Sequence, residues 1–203
     1  MDDALLAILS GVWRTLSDAV ADRDSPLRYP VLGTKTDAGP SVRTVVLREV
    51  NPSTQGIHCY SDARASKVAD VGASPAVVWL FCDPKAGIQL RMDAEATVRT
   101  GPKAEATLRK LHPGQLANYL TLGSPGEPIA DPRDAYALED ANRASRERPS
   151  NDHEQLVGRA LAHFAIVETR VMSIDWLQLD SPVSRRARFE REGNDWRASW
   201  IIP

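Results

Sequence analysis

Four short polar stretches in this 203-residue chain carry side chains suited to gripping an anion or reading a flat ring. The first, Arg43-Thr44-Val45-Val46-Leu47-Arg48, reads as a β-branched strand with an arginine at each end. Under strict alternation Arg43 shares a face with Val45 and Leu47, which leaves it either at a strand end or close to something anionic. The second, Tyr60-Ser61-Asp62-Ala63-Arg64-Ala65-Ser66-Lys67, runs from a strand end into a helix start. There Ser66 and Lys67 lie near free backbone N–H groups and suit a phosphate; an N-cap and a solvent-facing lysine explain the same letters. The third pairs Gln89 with Arg91 on one face of a strand, where the amide can both donate to and accept from a heterocycle edge. The fourth, Arg185-Arg186-Ala187-Arg188-Phe189, turns Arg186 and Arg188 the same way. Arginine forks there suit a phosphate, and equally suit a charged edge that resists aggregation.

Other chemistries lack their signatures. No GxGxxG follows a strand, and GxxxxGK[ST], GxSxG and HExxH are absent. Cys59 and Cys82 form no CxxC pair and the four histidines are scattered, so no metal site is expected. No residue stands out as a general acid or base.

The elements that must position these groups follow from periodicity. Leu5, Leu6, Leu9, Val12, Trp13, Leu16 and Val20 predict an amphipathic helix over residues 2–22. Strands are expected at Tyr29–Thr34, Ser41–Val50, Gly56–Ser61, Ala76–Cys82 and Ile88–Thr100, with a short helix before Gly72. Ile88–Thr100 alternates most cleanly. Helical character returns from Pro102 to about Leu122, then at Asp134–Arg148 and Asp152–Ala162. Strands resume at Phe164–Met172, Trp176–Leu179, Arg185–Arg191 and Trp196–Ile202. Hairpin-length connections between most strands argue for an antiparallel α+β domain closed as a barrel, and against a doubly wound parallel sheet.

Composition narrows the partners. Twenty-five Lys+Arg against 27 Asp+Glu give a net charge of −2, which speaks against nucleic acid. Hydrophobic residues are 42% of the chain, enough for a real core. The acidic start, the interruption of the first helix by Arg14 and Asp18 and the two cysteines predict a cytoplasmic protein without membrane contact, both thiols buried. Twenty of the 25 basic residues are arginine, a bias that composition alone leaves open between coding preference and anion binding.

Read in order, the polar stretches resemble the FMN-binding split-barrel family related to pyridoxamine 5′-phosphate oxidase. The family's Arg-x-Val-Leu-Leu-Lys strand is met by Arg43–Arg48. Its Phe-Tyr-Thr-Asn strand end is met by Cys59-Tyr60-Ser61-Asp62, its Ser-Arg-Lys helix start by Ala65-Ser66-Lys67, and its Asn-Pro by Ser74-Pro75. Arg-Gln-Val-Arg-Val-Glu-Gly corresponds to Ile88–Ala94. The closing Arg-Phe, Trp and terminal Pro correspond to Arg188-Phe189, Trp196 and Pro203. The likeness is good over residues 29–100, moderate over 164–203 and faint between them.

The resemblance implies a single domain over residues 1–203, a mainly antiparallel six-stranded split β-barrel with flanking helices. Its parts would be an N-terminal helix (1–22), a barrel core (29–100), a helical insertion (102–162) and C-terminal strands (164–203). It implies FMN held by Arg43, Thr44, Val45, Val46, Leu47, Tyr60, Ser61, Ser66, Lys67, Gln89 and Arg188 at a homodimer interface. Arg48 and Arg186, with Arg188, become candidates for an anionic small-molecule substrate. The implied activity is hydride or electron transfer through the flavin; a true pyridoxamine 5′-phosphate oxidase and a non-catalytic flavin or haem carrier are the alternatives. Departures favour the less characterised oxidase-like branch. One cationic phosphate ligand of Ser-Arg-Lys is missing, with Arg64 the nearest substitute. The Tyr, Arg and Ser set for a vitamin phosphate is not in register at Leu108–Pro113. The C-terminal Arg-x-His becomes Ser184-Arg185-Arg186, and the flavin-stacking Trp falls near Leu177, beside Trp176.

Overall fold

The structure, a computed structural model, describes residues 2–136, 151–179, 182–193 and 195–203. The chain forms two compact units, Met1–Cys59 with Ala73–Thr97 and Glu168–Pro203, and Tyr60–Gly72 with Val98–Val167.

The first unit opens with helix α1, Asp3–Ala21. Asp2 caps it by accepting the Leu5 N–H at 2.8 Å, and Arg28 donates to the carbonyls of Ala19 and Val20 at its far end. α1 is apolar enough by length and composition to cross a membrane, with mean hydropathy 1.3. Its Leu5, Val12, Trp13, Leu16 and Ala19 are nevertheless buried, and the helix packs against strand β3.

Nine strands follow: β1 Val31–Thr36, β2 Gly39–Thr44, β3 Leu47–Asn51, β4 Gly56–Asp62, β5 Ala76–Asp83, β6 Ile88–Thr100, β7 Phe164–Gln178, β8 Arg185–Glu192 and β9 Asp195–Ile201. They form one sheet in the order β2-β1-β5-β6-β7-β4-β3, with β8 pairing β7 and β9 pairing β8. The ladders β1–β2, β1–β5, β3–β4, β5–β6, β7–β8 and β8–β9 are antiparallel. β2 and β3 hold opposite ends of that order, yet only Val45 and Val46 separate them in sequence. Three Cα steps reach at most about 11 Å, so the sheet curls until its ends meet through a covalent link. This is an antiparallel sheet with flanking helices, the α+β split-barrel class expected from the sequence, but with nine strands joined in one sheet where six were expected.

Two strand expectations are corrected. The single strand Ser41–Val50 is two, because the chain exchanges its partner β1 for β4 at Val45, whose N–H donates to the Pro30 carbonyl at 2.9 Å. The separate strands Phe164–Met172 and Trp176–Leu179 are one, since Ser173–Gln178 continue the ladder to β8.

The core between these strands centres on Trp79 and Phe81, fully buried and stacked 6.0 Å apart. The Trp79 indole N–H donates to Thr169 Oγ1 at 3.1 Å, and that hydroxyl donates to the Ile57 carbonyl at 2.6 Å, which satisfies the polar atoms of β5, β7 and β4 together. Gly87 is required at the β5–β6 turn: its φ is +64°, its carbonyl accepts the Leu179 N–H at 2.7 Å, and an added Cβ would lie 2.4 Å from the Leu179 oxygen. Cys59 is buried but Cys82 is exposed, contrary to expectation. Val77, Trp79 and Phe81 point inward, so alternation turns Cys82 outward.

In the second unit, α2 spans Ser66–Ala73, α3 Pro102–Leu108, α4 Pro113–Leu116 and α5 Asn151–Ala160. The helix expected from Pro102 to Leu122 is thus broken at His112-Pro113, where His112 starts a new capping box. Leu108, Leu116, Leu156, Val157 and Phe164 form its core, with Tyr60 and Tyr119 set edge-on to Phe164 at 5.2 and 4.9 Å. Of the helix expected at Asp134–Arg148, Asp134 and Ala135 belong to a 3₁₀ turn, Pro132–Ala135, and residues 137–148 lie outside the described residues.

Candidate functional site

In the second unit, β4 ends at Asp62 and α2 begins at Ser66. Ser61 is buried and its hydroxyl receives the Lys67 ammonium at 3.0 Å. Ser66 is exposed on the first helical turn, so Ser61, Ser66 and Lys67 bring a cation and two hydroxyls to one helix start. Tyr60 turns its ring to Phe164. Arg64 is corrected as a substitute phosphate ligand. Its fork closes on Asp62, with Nε to Oδ1 at 3.0 Å and Nη2 to Oδ2 at 2.7 Å, and its remaining N–H groups reach Thr121. The Asp62 hydrogen bond holds the Arg64 guanidinium above its usual pKa. Arg64 is a strap between two loops, and its charge is spent.

In the first unit, Arg43 and Thr44 end β2, Val45 and Val46 form the link, and Leu47 and Arg48 begin β3. Arg43 therefore stands at a strand end. Its guanidinium donates to Thr34 Oγ1 at 2.6 Å, Ser41 Oγ at 2.7 Å and the Leu32 carbonyl at 3.3 Å. These three contacts orient the guanidinium. Val45 and Leu47 are buried, and Thr44 is exposed.

Gln89 is exposed on β6, opposite Cys82 of β5. Two residues on, Arg91 shares its face and reaches a residue that the sequence reading missed. Asp175 on β7 is buried, and three arginines surround its carboxylate. Arg186 grips both oxygens, Nε to Oδ1 and Nη2 to Oδ2, each at 2.8 Å. Arg91 Nη2 lies 3.2 Å and Arg188 Nη2 3.9 Å from Oδ2. The Arg186 hydrogen bonds, aided by the nearby charges of all three guanidiniums, hold the Asp175 carboxyl below the usual carboxylate range although burial opposes this. One negative charge among three positive ones leaves the cluster cationic.

The position aligned with a stacking Trp is the half-buried Leu177; Trp176 beside it is buried beneath the Arg185 guanidinium, 5.7 Å from its ring centre. A largely apolar cavity of about 870 Å³ opens between Gly33–Val42, Ala76–Val78 and Asp93–Glu95. A polar one of about 430 Å³ is lined by Thr54, His58, Glu168, Arg170 and Arg191. None of the expected cofactor residues lines either. Among the described residues no cluster of His, Cys, Asp and Glu could hold a metal ion.

Residues 10–100 match the family model described as "Pyridoxamine 5'-phosphate oxidase, FMN-binding domain", so the family resemblance read from the sequence holds over this segment. The fold is shared with a pyridoxamine 5′-phosphate oxidase-related, FMN binding protein from Nostoc punctiforme PCC 73102, at a TM-score of 0.67 and 19% identity over 99% of this chain and 97% of that one. It is also shared with PhzG from Burkholderia lata 383, solved in complex with tetrahydrophenazine-1-carboxylic acid, at a TM-score of 0.70 and 17% identity over 96% and 92% of the two chains. No curated protein matches.

Proposed function

We propose that the chain binds FMN and uses it to transfer hydride or electrons to or from a small molecule, in the cytoplasm and as a homodimer. The observation that carries this reading is the donor set at the family-matched positions. In the second unit Lys67 stands with the Ser61 and Ser66 hydroxyls, and in the first the Arg43 guanidinium is held by Thr34 and Ser41; each is of the kind a phosphate monoester takes. Gln89 and Arg188 supply the donors for the electron-rich edge of the flavin ring, and Thr44–Leu47 and Tyr60 supply backbone and apolar contact.

When bound, the flavin supplies the redox chemistry. The protein's own contribution is positional and electrostatic. The cationic Arg188 would favour negative charge that develops on the ring, and Asp175 fixes the cations around it. No side chain is assigned as acid or base. The reading is tested by titrating the purified protein with FMN: Arg43→Ala and Lys67→Ala should each weaken binding about tenfold or more, the scale of one charge-assisted contact. Unchanged affinity in both variants would refute the assignment.

A further inference from the structure

Arg91 has no task in the flavin reading, and its surroundings give it one. Arg186 already holds Asp175 in a two-pronged grip, Nε and Nη2 lying on the two carboxylate oxygens at 2.8 Å. That pair is an internal fixture, so Arg186 is poorly placed to grip a substrate. Arg188 is needed at the ring. Arg91 makes one contact, Nη2 to an oxygen that Arg186 already occupies, at 3.2 Å. Its side chain is 49% exposed and its other N–H groups have no acceptor among the described residues.

Placement sharpens the point. Along β6 the residues Gln89, Arg91, Asp93 and Glu95 alternate outward while Leu90, Met92 and Ala94 are buried. Asp93, the nearest carboxylate along that row, accepts the Ser173 hydroxyl at 2.6 Å. Arg91 therefore stands between the ring-reading amide and a buried carboxylate that steadies its guanidinium without filling it. A guanidinium pre-oriented in this way presents a planar edge that two oxygens of a carboxylate match.

We propose that Arg91 recognises the substrate: the small molecule carries a carboxylate, which docks on the open edge of Arg91 beside Gln89, while the Asp175–Arg186 pair holds Arg91 in place. This rests on the flavin reading for the location of the reacting ring, but the anion contact itself is measurable without turnover.

The test uses the FMN-loaded protein and three probes of one shape: benzoate, benzamide and phenyl phosphate. Binding is followed by calorimetry and by the perturbation of flavin absorbance. Benzoate should bind at least tenfold more tightly than neutral benzamide. Arg91→Gln should remove that advantage while FMN affinity and benzamide binding stay unchanged, and Arg91→Lys should restore part of it. Benzoate affinity equal in wild type and Arg91→Gln would overturn the proposal. So would Arg91-dependent binding of phenyl phosphate that exceeds benzoate, which would make the substrate a phosphate ester. Failure of the wild-type protein to take up FMN would instead strike the flavin reading, whereas loss of the benzoate preference with FMN bound strikes this one alone.

Discussion

Replacing Asp175 by Asn keeps the size and shape of the side chain and removes the one carboxylate on which Arg91, Arg186 and Arg188 converge. The two bonds from Arg186 are short and charge-assisted; such bonds contribute about 1.5–3 kcal/mol each when fully buried, and less here because the guanidinium is partly exposed to solvent. The outer arginines are nearly half exposed, so their attraction to Asp175 is largely screened and adds little. Asparagine retains one acceptor but turns an NH₂ toward a guanidinium, so the net loss is about 2–4 kcal/mol at neutral pH. For a chain of this size that lowers Tm by about 5–12 °C. The pH dependence carries the sharper test. The Asp175 carboxyl is depressed chiefly by its hydrogen bonds to Arg186, so its contribution is full above the ordinary carboxylate range and disappears as pH falls through the depressed value. Melting followed by circular dichroism should therefore show a constant gap between wild type and Asp175→Asn from about pH 5 to 8, closing below about pH 4. A gap under about 1 kcal/mol at pH 7, or one unchanged on acidification to about pH 2.5, would refute the reasoning.

Three further outcomes follow from the geometry. Arg64→Ala should lower Tm, because it frees Asp62 and Thr121, yet leave FMN affinity within about twofold in a fluorescence titration. Trp79→Phe should cost about 1–3 kcal/mol in urea unfolding, since it removes the indole donor to the buried Thr169 hydroxyl along with ring volume. Gly87→Ala should destabilise by more than about 1 kcal/mol, because a positive φ and the Leu179 carbonyl both oppose a side chain there.

The sequence revealed those parts of the structure that local periodicity controls. β6 alternates cleanly because one of its faces is buried along most of its length, and α1 shows its stripe for the same reason. The break between β2 and β3 is invisible in Arg43–Arg48. Val45 and Val46 are both good strand formers, and what divides them is a change of partner strand, which no local pattern records. Asp175 was hidden likewise: lying between Ile174 and Trp176 it resembled a break between two strands, while its partners are 11 and 84 residues away. Its signal was the excess of arginines on β8 facing one way, since buried charge needs a counter-ion. Arg64 misled because its pairing with Asp62, two residues back, depends on the turn between β4 and α2. The exposure of Cys82 was available in the alternation of Val77, Trp79 and Phe81.

The most direct measurement of the central claim is the visible absorption spectrum of the purified protein, before and after denaturation. A flavin band is expected in the native protein, or one acquired on adding FMN and retained through gel filtration, with FMN recovered in solution on unfolding. A folded but colourless protein that leaves added FMN unbound would contradict it.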